Sequence, residues 1–160
     1  MKTIPPGIAG VAVATGLLIA LSSLAKAQDP DPEPVVSRAL SATVDYGNEA
    51  IFQPAKQGVD FGILGMRAAQ TVTITVQFPA ELAGQSIIAE PLDGGILTIP
   101  ENGLIVGNDG MVVMQFQAPS GSPGACRISV HQPDDCNVLH FWIIDPDHPE
   151  NTPADLPGAY

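Results

Sequence analysis

The strongest regularity along the chain is alternation. Between Thr71 and Phe78, Val72, Ile74, Val76 and Phe78 alternate with Thr71, Thr73, Thr75 and Gln77. A period of two puts four apolar side chains on one face of a β-strand and a threonine ladder on the other. Residues 110–117 repeat the pattern with Val112, Met114 and Phe116 as the inward set. Ile128 and Val130 do the same between Arg127, Ser129 and His131. Further strands are predicted over 40–46, 85–92, 95–99, 103–106 and 138–144, separated by Asp93-Gly94-Gly95, Asn102-Gly103, Asp109-Gly110 and the Pro119 to Gly124 run, all strong turn formers. No stretch beyond the N-terminal segment has a helical period. About seven to eight short strands with regularly spaced turns predict an all-β fold, an antiparallel β-sandwich occupying residues 37–145.

The two ends of the chain read differently. Lys2 is followed by an uncharged run over 7–24 that is greasiest at Leu17, Leu18, Ile19, Ala20 and Leu21, and then by Ala25-Lys26-Ala27. This is the layout of a helical secretory signal peptide over residues 1–27, with cleavage between Ala27 and Gln28. The competing reading is a retained N-terminal anchor, because the run reaches the lower limit of about 18 residues for spanning a bilayer. Membrane attachment is expected only through such an uncleaved signal. Residues 28–36 alternate acid and proline (Asp29, Pro30, Asp31, Pro32, Glu33, Pro34), a composition that favours an extended, solvated spacer. Residues 146–160 carry Pro146, Pro149, Pro153 and Pro157 and are expected to form an irregular tail. That tail either lies along the domain through Leu156 and Tyr160 or extends freely.

Charge narrows the partners. Seventeen carboxylates against six Lys and Arg give a net charge of -11, and removal of the signal takes Lys2 and Lys26 with it. Phosphate contacts need clustered Lys and Arg, so nucleic acid is not an expected partner. An acidic surface serves solubility. Calcium is the sharper reading of acidic loops, since carboxylates are its preferred ligands. The Asp-x-Asp-x-Asp-Gly spacing of a dedicated loop is nevertheless missing, and Asn108-Asp109-Gly110 reads as a turn. No cofactor is expected.

Three pieces carry a family likeness: the strand Thr71 to Phe78, the Asp109-Gly110 turn feeding Met111 to Phe116, and Pro123-Gly124-Ala125-Cys126-Arg127-Ile128-Ser129-Val130. Together they resemble the bacterial immunoglobulin-like (Ig-like) modules, secreted β-sandwiches, over about residues 59–144. The resemblance implies an Ig-like fold and an extracytoplasmic setting in a bacterial cell envelope, and it transfers no functional residues. One departure is visible. Trp142 follows both cysteines instead of lying between them, so the antibody-type arrangement of a cysteine pair around a tryptophan is missing.

The remaining candidates are chemical. Cys126 and Cys136 are the only cysteines, and an even count in an exported chain favours a disulfide. Strand register argues the other way. If His131 and Cys136 flank a turn made of Gln132, Pro133, Asp134 and Asp135, Cys126 faces Phe141, roughly 17 Å along the strand from Cys136. A bridge requires Cα atoms within about 7 Å. Both outcomes stay open at this point. His131, His140 and His148 lack the close pairing of metal ligands and read as surface histidines. His131 and Cys136 form a conceivable nucleophilic pair, but no third group orients it. Ser120-Gly121-Ser122-Pro123-Gly124 has a proline where a hydrolase elbow has a free residue, and it reads as a loop. Finally, Leu139, Phe141 and Ile143 alternate with Val138, Trp142 and Ile144, so the last strand is apolar on both faces. Either the tail or a loop covers its second face, or that face docks a partner.

These readings converge on an exported, non-enzymatic interaction or structural module of the cell envelope, secreted or periplasmic. The expected partner is a protein, either a second copy or an envelope component, contacted through Val138, Trp142 and Ile144. The alternative is a sandwich that binds a small ligand or metal, carbohydrate or calcium, through loop carboxylates such as Asp93, Asp109, Asp134 and Asp135. An enzyme is not expected, because no convergent set of acid, base and nucleophile can be assembled.

Overall fold

A computed structural model describes residues 39–55, 61–121, 123–133 and 135–158. All of them belong to the compact unit Pro34–Tyr160. The signal segment 1–27, its cleavage pair Ala27 and Gln28, and the spacer 28–36 lie outside the described residues.

The described chain forms ten strands: β1 (Ser41–Asp45), β2 (Ala50–Pro54), β3 (Ile63–Met66), β4 (Thr71–Gln77), β5 (Ser86–Pro91), β6 (Ile96–Thr98), β7 (Leu104–Ile105), β8 (Met111–Gln117), β9 (Gly124–His131) and β10 (Cys136–Ile143). They assemble into two five-stranded sheets, ordered β2-β1-β4-β8-β6 and β3-β10-β9-β5-β7. The fold is therefore an all-β, two-sheet sandwich. Alternation explains its core. Val72, Ile74 and Val76 from β4 and Val112, Met114 and Phe116 from β8 are buried against Cys126, Ile128 and Val130 from β9 and Leu139, Phe141 and Ile143 from β10. Phe116 stacks on Phe141 with ring centroids 5.8 Å apart, tying one sheet to the other. The threonines at 71, 73 and 75 face outward.

Two expectations need correction. The strands number ten among the described residues, not seven or eight, and the sandwich is not wholly antiparallel, because β3 runs parallel to β10. The additional strands β2 and β3 lie at sheet edges. In β3, three consecutive residues, Leu64, Gly65 and Met66, are buried, so this strand carries no alternation to recognise. Its burial depends on the C-terminal segment. Leu156 is buried, the Gly65 amide donates to Pro157 O at 2.7 Å, and the Ile144 amide donates to Met66 O at 2.9 Å. Beyond β10, the tail makes one short 3₁₀ turn, Pro149–Asn151, and ends its described course at Gly158, packed on Tyr46.

Candidate functional site

The register of β9 on β10 places Trp142 between two small neighbours. Ala125 lies opposite it on β9, and Gly65 lies opposite it on β3. The only tryptophan of the chain is thus half-buried on the outer face of the sheet, without a bulky cross-strand partner. Around it the chain closes a cleft of about 280 Å³, lined by Pro123, Gly124, Trp142, Asp145, Asn151 and Thr152. Three segments converge there: the turn leading into β9, the end of β10, and the 3₁₀ turn of the tail. Local hydrogen bonds hold the polar members. Asp145 Oδ1 accepts from the Asp147 amide at 3.0 Å, bending the chain just after β10. The Thr152 amide donates to Pro149 O at 3.0 Å. The Thr152 hydroxyl oxygen is enclosed and has no hydrogen-bond partner.

This arrangement bears on the proposed docking strip. Val138 and Trp142 lie on the outer face of β10, Ile144 sits just beyond its end, and all three are half-buried. The strip is not continuous, because His140 separates Val138 from Trp142 and pairs in register with Arg127. What stays open around Trp142 is a cleft with one aromatic wall and a polar rim.

Both cysteines are free, Cys126 buried and Cys136 exposed. Of the two outcomes left open for the cysteines, register supports separate thiols. Cys136 pairs with His131 and Cys126 pairs with Phe141, which leaves the thiols at opposite ends of the hairpin and also on opposite faces of the sheet. Burial pushes the Cys126 thiol up to about 11, with the charge of Asp93 adding to the effect. Cys136 Sγ lies 3.9 Å from His131 Nε2, so the conceived Cys-His pair is adjacent and exposed. No cluster of three or more His, Cys, Asp or Glu residues suited to a metal occurs among the described residues.

The loop carboxylates are not brought together. Asp93 follows β5, whereas Asp109 precedes β8 at the other end of the sandwich. Asp93 is held in a two-pronged ion pair with Arg127, at 2.8 and 2.9 Å. Those hydrogen bonds hold its carboxyl below the usual carboxylate range. Asp109 Oδ1 accepts from the Met111 amide at 3.0 Å, and Asp135 Oδ1 accepts from the Cys136 amide at 2.8 Å, so both carboxylates shape turns. Asp134 lies outside the described residues. The histidines are also scattered. His131 and His140 sit on the outer faces of β9 and β10, and His148 lies 3.4 Å from Glu150 in the tail.

Sequence reasoning singled out Trp142 but missed Asp145, Asn151 and Thr152. The proline-rich tail gave little signal that it would fold back, apart from the isolated apolar Leu156. No protein family, curated protein or solved structure matches this chain.

Proposed function

We propose that this chain is an exported, non-enzymatic recognition module of the bacterial cell envelope, an Ig-like sandwich that makes contact through the cleft at Trp142. Support for the Ig-like reading comes from strand order. Seven of the ten strands, β1, β4, β5, β6, β8, β9 and β10, taken in chain order as A to G, give A-B-E-D in one sheet and G-F-C in the other, the arrangement of immunoglobulin constant-type domains. The remaining strands are edge additions. Export rests on the signal-like segment ending at Ala27 and on the acidic composition.

The observation that carries the functional reading is the position of Trp142. A large aromatic in a small sandwich ordinarily contributes to the core. Here the core is filled by other residues, and the single tryptophan stands on the outer face of β10, beside the cleft. An aromatic side chain half-exposed among polar groups is the composition of a recognition site. The test is binding of the labelled chain to isolated bacterial envelopes. Trp142→Ala should abolish retention while the melting temperature and far-ultraviolet dichroism stay near wild type. Undiminished retention would remove Trp142 from the contact.

A further inference from the structure

We infer that the cleft at Trp142 takes one ring of a neutral saccharide, so that the recognition module binds glycan. This inference rests on the reading of Trp142 as the contact site and assigns it a ligand class.

The lining of the cleft complements a sugar. A sugar ring has an apolar face of C–H groups and an equatorial fringe of hydroxyls that both donate and accept hydrogen bonds. The cleft offers an indole for the former and a carboxylate and an amide for the latter, from Trp142, Asp145 and Asn151. An amide donates as well as accepts, and a carboxylate only accepts, which matches a ligand whose hydroxyls do both. Asp145 already spends Oδ1 on the Asp147 amide, so Oδ2 is the oxygen left for a ligand hydroxyl.

At about 280 Å³, the cleft falls just below the roughly 300–1,000 Å³ of drug-sized small-molecule pockets. That suits one ring.

Charge selects among saccharides. With a net charge of -11 and Asp145 on the rim, anionic sugars meet repulsion, and neither Lys nor Arg is among the described residues that line the cleft. A divalent cation lacks ligands, since Asp145 is the one carboxylate among the described lining residues. An organic cation would find a single aromatic wall, not the several of an aromatic cage.

Two experiments test the assignment. The labelled full chain is applied to a printed glycan array, and glycans retained there are titrated against Trp142 emission. The result expected is retention of neutral glycans, with saturable change in emission. Trp142→Ala should abolish binding, and Asn151→Ala, which removes the rim amide, should weaken it about five- to tenfold. Asp145→Asn should weaken neutral glycans without creating preference for anionic ones. Absence of retention on the array, or retention confined to acidic or basic glycans, overturns the inference. If envelope binding depends on Trp142 yet persists after enzymatic removal of envelope glycans, the saccharide assignment fails while the contact site stands. If envelope binding ignores Trp142, the contact site itself fails.

Discussion

Gly158 seats the tail that completes the cleft, and replacing it tests that seating. Its φ of +81° lies in the left-handed region, and a Cβ added there would fall 2.5 Å from Tyr46 Oη and 2.8 Å from Tyr46 Cε2. A side chain in that backbone conformation costs about 1–2 kcal/mol, and forcing an extra carbon against a buried ring costs about 1–3 kcal/mol. The total, about 2–5 kcal/mol, compares with what holds the tail. Burial of Leu156 contributes roughly 1.5–3 kcal/mol, and the hydrogen bond from Gly65 to Pro157 about 0.5–1.5 kcal/mol. Ordering the segment opposes both. Release of the tail is therefore the cheaper response to Gly158→Ala, and the core stays folded. The expected outcome is greater acrylamide quenching of Trp142, proteolytic nicking within residues 146–158, and a fall in melting temperature of at most about 18 °C, at roughly 4 °C per kcal/mol. Gly47→Ala is the control. Its φ is +91° with nothing within 4 Å of an added Cβ, so it carries the backbone cost alone and should leave Trp142 quenching unchanged. The reasoning is refuted if Gly158→Ala leaves both the quenching and the protease resistance of the tail at wild-type levels.

Other outcomes follow from buried polar groups and from the thiols. Tyr46 Oη is enclosed without a partner, so Tyr46→Phe should raise stability by about 1 kcal/mol in chemical denaturation. Gln132 buries both amide atoms unpaired, and Gln132→Met should likewise stabilise by about 1 kcal/mol on removing them. Intact mass without reductant should show two free thiols, with Cys136 labelled by a maleimide at once and Cys126 only on unfolding; a loss of two mass units would contradict the hairpin register. Burial raises the Cys126 thiol to about 11, above its unfolded value of about 9. Its contribution to stability is therefore present below about pH 9 and is lost as pH rises from about 9 to 11. In a Tyr46→Phe background, which removes the second buried group titrating at high pH, Cys126→Ala should flatten the pH dependence of melting in that window.

Much of the sandwich was legible because its central strands alternate strictly. Val72 to Phe78 and Val112 to Phe116 marked their inward faces directly, and a four-residue turn between His131 and Cys136 was enough to set the β9–β10 register. That same register anticipated the separation of Cys126 from Cys136. Strands β2 and β3 escaped for physical reasons. Phe52, the largest residue of β2, faces solvent, and β3 is buried over consecutive positions by a distant segment of the chain. The cleft was legible only in part. Trp142 stood out because β10 is apolar on both faces, whereas Asp145, Asn151 and Thr152 join it through a tail anchored by one leucine and a backbone hydrogen bond, neither of which leaves a periodic trace.

Trp142 is the chain's only tryptophan, so its emission reports on the proposed contact without labelling. The decisive measurement is acrylamide quenching of that emission in the free chain and in the chain bound to bacterial envelopes. If the cleft is the contact, binding should shift the emission to shorter wavelength and shield Trp142 from quencher. A chain that binds envelopes with Trp142 as quenchable as before makes its contact elsewhere, and the account of the cleft would then be wrong.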